Sequence, residues 1–101
     1  MVFDIYEVGG IGDFDVKNEE KRDIFTVNER VFLVVNKNTI EVRCDRNLSK
    51  LLQEKYESVM ESRYFGKGGI EVVMSGQMED EEVKDLVRLS YNLTKNGRTI
   101  F

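Results

Sequence analysis

The stretch from Val31 to Tyr56 limits the possible folds most, because it predicts a strand, a tight turn, a second strand and a helix without interruption. Residues 31–35 are β-branched or aromatic and too few for a helix, which predicts a central strand. Asn36 and Asn38 tolerate the backbone of a hairpin turn. The rest of the chain is expected to pack on this unit.

In the second strand, apolar residues from Ile40 to Cys44 alternate with Glu41 and Arg43. This period of two predicts a strand with one face covered and the other in water. Asp45 is then placed to cap a helix through its side-chain oxygen. That helix has apolar residues at helical spacing, namely Leu48, Leu51, Leu52 and Tyr56.

Two further strands complete the predicted sheet. The apolar run at 24–27 is joined to Val31 by a hairpin at Asn28 and Glu29, and residues 70–74 alternate as a fourth core strand. A second helix follows the acids at 79–82, which suit a helix N-terminus. The prediction is an α+β fold of two layers, an antiparallel sheet of four to five strands with two main helices on one face.

The second helix is expected to carry its stripe from Val83 to Tyr91 and to end at Gly97. Leu89 and Leu93 fall off that stripe, so a neighbouring chain is a candidate contact for this helix.

The remaining segments are predicted to be irregular or peripheral. Residues 2–8 alternate imperfectly, as in an edge strand, and residues 13–22 suit a solvated loop or a short exposed helix. Gly10-Ile11-Gly12 favours a flexible turn over a dinucleotide-binding loop, since Asp15 stands where the third glycine belongs. Val59 and Met60 are expected to close the end of the first helix, before an irregular loop at 62–69.

Composition predicts one domain over residues 1–101, with 1–22 as an atypical N-terminal segment. The net charge is −4, and there are no histidines and one cysteine, which disfavours a metal centre, a cofactor and common general-base chemistry. No run of 18 apolar residues and no signal-like N-terminus is present, so a cytoplasmic protein without a membrane span is expected.

Three segments resemble the YjbR/MmcQ family of small α+β proteins. Residues 42–45, VRCD, resemble the family's strand-ending "KCD"; residues 64–70, YFGKGGI, resemble its "GKxGW"-like loop; and residues 75–91, SGQMEDEEVKDLVRLSY, resemble its "DGSLPDEELRELIDESY". The resemblance spans about residues 23–95. It implies helices on one face of an antiparallel sheet, similar to secretion-chaperone-like folds, and it brings the label "DNA-binding" without catalytic residues. Gly69-Ile70 replaces an aromatic found in the family, and the N-terminal helix expected from the resemblance has no counterpart.

The first functional hypothesis is a nucleic-acid-binding module, with DNA as the partner. Cations beside loop aromatics are what phosphate contact and base stacking require. The competing interpretation is that the two aromatics plug the helix end while the cations stay solvated. The candidate residues are Arg43, Arg46, Arg63, Tyr64, Phe65 and Lys67, with Lys37 and Lys50 as further cations.

The second hypothesis is a protein-interaction module, most simply a homodimer. If alternate residues of the central strand face the helices, Phe32 and Val34 point to an open sheet face. The competing interpretation is that the N-terminal segment, through Phe3, Ile5 or Phe14, closes that face within one chain.

An enzyme is the third class and has the least support. Cys44 has no histidine to activate it and occupies an inward strand position, so a buried structural thiol is the better interpretation. The sequence therefore favours binding over catalysis.

Overall fold

The computed structural model describes residues 3–97 and contains one six-stranded antiparallel sheet with two α-helices. The strands lie in the order β1-β2-β3-β4-β6-β5. The predicted α+β class is confirmed, with six strands in place of four to five. The elements are β1 (Asp15–Asn18), β2 (Arg22–Val27), β3 (Arg30–Asn36), β4 (Thr39–Arg43), α1 (Arg46–Lys55), β5 (Val59–Ser62), β6 (Gly66–Val73) and α2 (Asp80–Lys95), after a 3₁₀ turn at Ile5–Glu7.

The β2–β3 hairpin has the predicted two-residue turn. Asn28 and Glu29 both have positive φ, 51° and 65°, as a type I′ turn requires. The Asn28 side chain also donates to the carbonyl of Lys95 at 3.2 Å, which ties this turn to the end of α2.

Both helices contribute to one apolar core on one side of the sheet, as predicted. Helix α2 packs on β3 and β4, and α1 packs on β5 and β6. Asp45 caps α1 by accepting from the backbone N–H of Leu48 at 2.9 Å. Leu51 departs from the predicted stripe, since it is 62% exposed. The central core residues with no exposed surface are Phe32, Leu33, Ile40, Val42, Ile70, Val72 and Val87.

Helix α2 begins with three acids in its first turn and is followed by Gly97 at φ +65°. Glu79 makes no side-chain capping bond, so the acids act on the helix end through charge alone. Leu89 is 36% exposed, and its contact with a neighbouring chain stays a prediction.

A β-bulge overturns the predicted orientation of Phe32. Phe25 pairs with Leu33 but Thr26 pairs with Val31, so Phe32 is an extra residue on β3. Strict alternation therefore fails at this point. The Phe32 side chain enters the helix-side core, where its ring lies 5.1 Å from that of Tyr91.

The sheet face opposite the helices is covered rather than open. Val34 lies between Ile24 and Glu41 in the strand register, is fully buried and is outside the helix-side core. The predicted exposed face at Phe32 and Val34 is therefore wrong. The N-terminal segment does not close it either, because Phe14 packs on Phe25 on the helix side at 5.7 Å.

Several segments predicted to be irregular are regular. Residues 15–18 form an edge strand, residues 59–62 form β5, and β6 already begins at Gly66. Of the predicted N-terminal strand, the described part contains the 3₁₀ turn, in which the Asp4 side chain accepts from the N–H of Tyr6 at 2.9 Å. These strands were missed because their short, polar sequences are held by pairing with neighbours rather than by their own pattern.

The glycine-containing segment at 9–12 is held against α2. The Arg88 side chain donates to the Gly9 carbonyl at 2.6 Å, and the Tyr91 hydroxyl donates to that of Asp13 at 2.8 Å. The segment leads into a strand rather than a helix, so it lacks the helix N-terminus on which a dinucleotide loop depends.

Gly69 is expected to tolerate no side chain. A Cβ there would lie 2.5 Å from the Val42 carbonyl oxygen and 2.7 Å from the Phe65 Cβ, whereas at Gly68 the nearest atom would be 3.8 Å away. Gly69→Ala should therefore lower the free energy of unfolding by about 2 kcal/mol, as in an overpacked core. Urea denaturation measures it, with Gly68→Ala as the control expected to change stability by less than about 1 kcal/mol. Equal effects of the two substitutions would contradict the close approach.

Candidate functional site

A three-residue loop, residues 63–65, turns the β5–β6 hairpin back over the sheet face opposite the helices. Gly66 follows the loop at φ +64°, the left-handed position that such hairpins require. The Ser62 hydroxyl oxygen accepts from the N–H groups of Tyr64 at 3.1 Å and Phe65 at 2.8 Å. The loop therefore has a defined conformation that fixes where its two rings lie.

Glu41 on β4 anchors this loop to the sheet. Its Oε1 accepts from the Ser62 hydroxyl and from the N–H of Tyr64, each at 2.8 Å, and its Oε2 accepts from Asn36 Nδ2 at 2.9 Å. The residue is 2% exposed, although its alternation with apolar neighbours predicted a solvated position. Burial of this carboxylate is offset by three donors, two of which belong to the hairpin.

Glu71 on β6 lies directly opposite Glu41 in the strand register and is also 2% exposed. It accepts from Arg63 Nε at 2.9 Å, from the Arg63 terminal nitrogen at 2.7 Å and from the Thr39 hydroxyl at 2.7 Å. Burial alone raises the pKa of Glu71, but the bonds from Arg63 and Thr39 outweigh it, so the pKa lies below its ordinary value. Arg63 is thus the second attachment of the loop.

Two arginines lie over the rings of the loop. The Arg43 guanidinium carbon is 4.7 Å from the centre of the Phe65 ring, and that of Arg22 is 5.5 Å from the Tyr64 ring. The two rings meet edge to face at 5.0 Å. We call this surface the arginine–aromatic face; its residues are Arg22, Arg43, Arg63, Tyr64 and Phe65.

Arg43 is held by the sheet backbone rather than by a carboxylate. Its Nε donates to the Val31 carbonyl at 2.7 Å. Burial lowers the pKa of Arg43, and the nearby charge of Arg30 lowers it further, yet a guanidinium stays protonated at neutral pH. Within residues 3–97, neither Arg43 nor Arg30 forms an ion pair with a carboxylate. Their charge is therefore available to an anion.

A groove continues this positive surface around the end of the sheet. Arg43 pairs with Gly69, and the next residue, Cys44, donates its N–H to the Gly68 carbonyl, so the end of β4 adjoins the start of β6. We call the adjoining hollow between α1 and the hairpin the basic groove. Its lining residues are Arg46, Asn47, Ser49, Lys50, Gln53, Glu61 and Lys67.

The six residues predicted to contact nucleic acid thus fall into two adjacent groups. Four of them, Arg43, Arg63, Tyr64 and Phe65, form the arginine–aromatic face, and Arg46 and Lys67 line the basic groove. The competing idea that the two aromatics plug the end of α1 is wrong, because the rings lie on the sheet face.

Three cations outside these six residues differ in their position relative to the two surfaces. Lys50 joins the groove, whereas Lys37 lies in the β3–β4 turn, at the end of β4 opposite Arg43. Arg22 was missed, because it is distant in sequence from the loop and no local pattern places it over Tyr64. The pairing of β2 with β3, in which Arg22 lies opposite Asn36, brings the Arg22 side chain over the Tyr64 ring.

The Cys44 thiol is not activated as a nucleophile. Cys44 is 3% exposed, and burial, with a smaller effect of the Asp45 charge, raises the pKa of its thiol to about 11. Such a thiol carries almost no thiolate at neutral pH. Over residues 3–97, no three His, Cys, Asp or Glu side chains group as metal ligands. In the same range, no helix has the length and apolar character needed to cross a membrane.

Comparison with known proteins gives a family and a fold. The model of the YjbR family matches residues 13–93, which include all six strands and α1. A crystal structure of a protein from Pseudomonas syringae, determined by the Northeast Structural Genomics Consortium, superposes with a TM-score of 0.71. The two chains share 15% sequence identity, and the superposition covers 80% of this chain and 86% of the Pseudomonas syringae chain. The likeness therefore concerns the fold alone. No curated protein matches the chain.

The Glu71–Arg63 pair gives a stability prediction with a defined sign in pH. The folded pKa of Glu71 is lowered, so its ionised form stabilises the fold above the unfolded value of about 4.3, and this contribution is lost as pH falls through the folded pKa. Glu71→Gln should lower the free energy of unfolding by about 1–2 kcal/mol at pH 7. We expect no more than this because the Arg63 side chain is 75% exposed, so water screens its charge.

Denaturant titrations at pH 7 and at about pH 3 measure the effect, since the difference from the wild type should shrink toward zero in acid. Glu61→Gln, at an exposed carboxylate on β5, is the matched control and should change little at either pH. A deficit of Glu71→Gln that stays constant down to pH 3 would rule out the ion pair as its source.

Proposed function

The chain belongs to the YjbR family, and from this premise we propose that it is a non-enzymatic binding module that contacts nucleic acid through the arginine–aromatic face and the basic groove. The proposed location is the cytoplasm. The observation that carries the proposal is a set of cations without acidic partners beside exposed aromatic surface. In residues 3–97, Arg43, Arg46, Lys50 and Lys67 form no ion pair, and Tyr64 is 41% exposed.

The distribution of acids supports the same surface. Beneath the arginine–aromatic face, Glu41 and Glu71 are buried under the hairpin loop, and their oxygens accept hydrogen bonds from its donors. Glu19 is paired with Arg22, and Glu61 lines the basic groove together with Lys67. The acids of the α2 first turn lie in the helix layer, across the sheet from the arginine–aromatic face. A chain of net charge −4 can thus present cations locally, which is what attraction of a polyanion requires.

Charge reversal in the basic groove tests the proposal. Arg46 and Lys67 are exposed, so Arg46→Glu with Lys67→Glu should preserve the fold while removing two phosphate contacts. We expect at least about tenfold weaker DNA binding and a salt dependence of log K reduced by about 1.5 to 2. Fluorescence anisotropy with labelled mixed-sequence DNA, single-stranded and duplex, at about 50 and 200 mM salt, measures both quantities.

Lys84→Glu with Lys95→Glu is the matched control, because it changes the net charge equally but on α2, away from the residues that line the basic groove. Equal weakening by the two pairs would mean that only the overall field matters and that the groove is not the site. No binding of either DNA form by the wild type up to about 100 μM would overturn nucleic-acid binding itself.

The alternative function is a homodimer through the sheet face opposite the helices, on which the arginine–aromatic face lies. Met60 and Tyr64 are 42% and 41% exposed there, which is apolar surface that a second copy could cover. Light scattering should then give the mass of two chains for the wild type and of one chain for Tyr64→Glu. A single-chain mass for both proteins would exclude the dimer at the concentration used.

A further inference from the structure

We propose that the arginine–aromatic face binds an unpaired nucleic-acid strand in preference to a duplex, with a base stacked on Tyr64. This inference rests on the proposed function and specifies its ligand. It is carried by the fixed position of the Tyr64 ring and by the shape of the surface around it.

The Tyr64 ring is a preorganised platform. The backbone N–H of Tyr64 is held by Glu41 and Ser62 from below, and the Tyr64 and Phe65 rings pack edge to face. The Arg22 guanidinium lies over the ring and is itself held by Glu19 at 2.9 Å. The side chain nevertheless keeps 41% of its surface exposed. Because Arg22 lies over one face of the ring, the base of the proposed complex stacks on the other face. The neighbours of the ring limit the conformational freedom that Tyr64 loses when the base stacks.

The cations lie in an order that suits an extended backbone. Arg43 neighbours the Phe65 ring, and Lys67 and Arg46 follow around the end of the sheet in the basic groove. A flexible strand can place a base on Tyr64 and lead its phosphates along these three cations.

A duplex fits this surface poorly. The usual way to read a duplex is to insert a helix into the major groove, which is about 12 Å wide. Here the cations of α1 form one wall of a groove, and the other wall contains Glu61 and Lys67 of the hairpin. Helix α1 therefore does not protrude from the protein surface as a helix inserted into a major groove must. A base within a duplex is also stacked on its neighbours and would have to leave them to reach Tyr64.

The test compares a mixed-sequence DNA strand of about 12 nucleotides with the duplex of the same sequence, using the full chain. The wild type should bind the single strand at least about tenfold more tightly than the duplex. Tyr64→Leu should lose about tenfold of the single-strand affinity and leave duplex affinity unchanged, while Tyr64→Phe keeps the wild-type preference. Tyr6→Leu is the matched control, since Tyr6 is 80% exposed and packs against Phe14 on the helix side.

A second measurement reports the stacking directly. The chain contains no tryptophan, so Tyr64→Trp introduces a single reporter whose fluorescence should be quenched by the strand and not by the duplex. Tight strand binding without quenching would overturn the role of Tyr64. Duplex binding equal to or tighter than strand binding, and still sensitive to Arg46→Glu with Lys67→Glu, would overturn the strand preference and leave the proposed function in place. Failure of both DNA forms to bind would instead remove the proposed function.

Discussion

The structure of the sheet face opposite the helices depends on the buried Glu41 carboxylate. A carboxylate with 2% exposure is costly unless its oxygens are hydrogen-bonded, and here the donors come from Asn36, Ser62 and the Tyr64 backbone. Satisfying this one group therefore requires the β5–β6 loop to fold back over β4. The position of both loop rings, and of the arginines that lie on them, follows from that requirement.

Glu71 adds a constraint that Glu41 alone would not impose. Like charges directly opposite each other on neighbouring strands repel, and the low polarity of a covered sheet face strengthens the repulsion. Arg63 offsets it with a two-pronged bond to Glu71 and comes from the same loop that Glu41 holds. The loop thus supplies the positive charge that lets two adjacent carboxylates share a buried layer. Its attachment is both structural and electrostatic.

Much of the fold could be predicted from sequence because its strongest elements carry their own pattern. The central strand, the Asn28-Glu29 turn, the Asp45 cap and the two helices each follow from residues that are adjacent in the chain. The family resemblance, confirmed over residues 13–93, added the two-layer arrangement with helices on one face of the sheet. The bulge at Phe32 could not be predicted, because alternation assumes one residue per pairing position and nothing local marks the extra one.

The candidate site was predictable in composition but not in arrangement. Arg63, Tyr64 and Phe65 stand together in the sequence, so a cationic aromatic loop could be recognised. Which way the loop folds depends on Glu41 and Glu71, whose alternation with apolar neighbours predicted solvent exposure. Buried polar contacts between distant residues leave no periodic signal. For this reason the sheet face on which these two acids lie was expected to be open, although the β5–β6 loop covers it.

This arrangement also explains why net charge is a poor guide to the surface of this chain. The overall charge of −4 counts Glu41 and Glu71, although both are beneath the loop and bonded to its donors. Among the cations above them, Arg43 has no carboxylate partner within residues 3–97, and its charge contributes to the field that an approaching anion meets. The carboxylates inside position the loop, and the arginines outside set the charge of its surface, so an acidic chain can carry a cationic site.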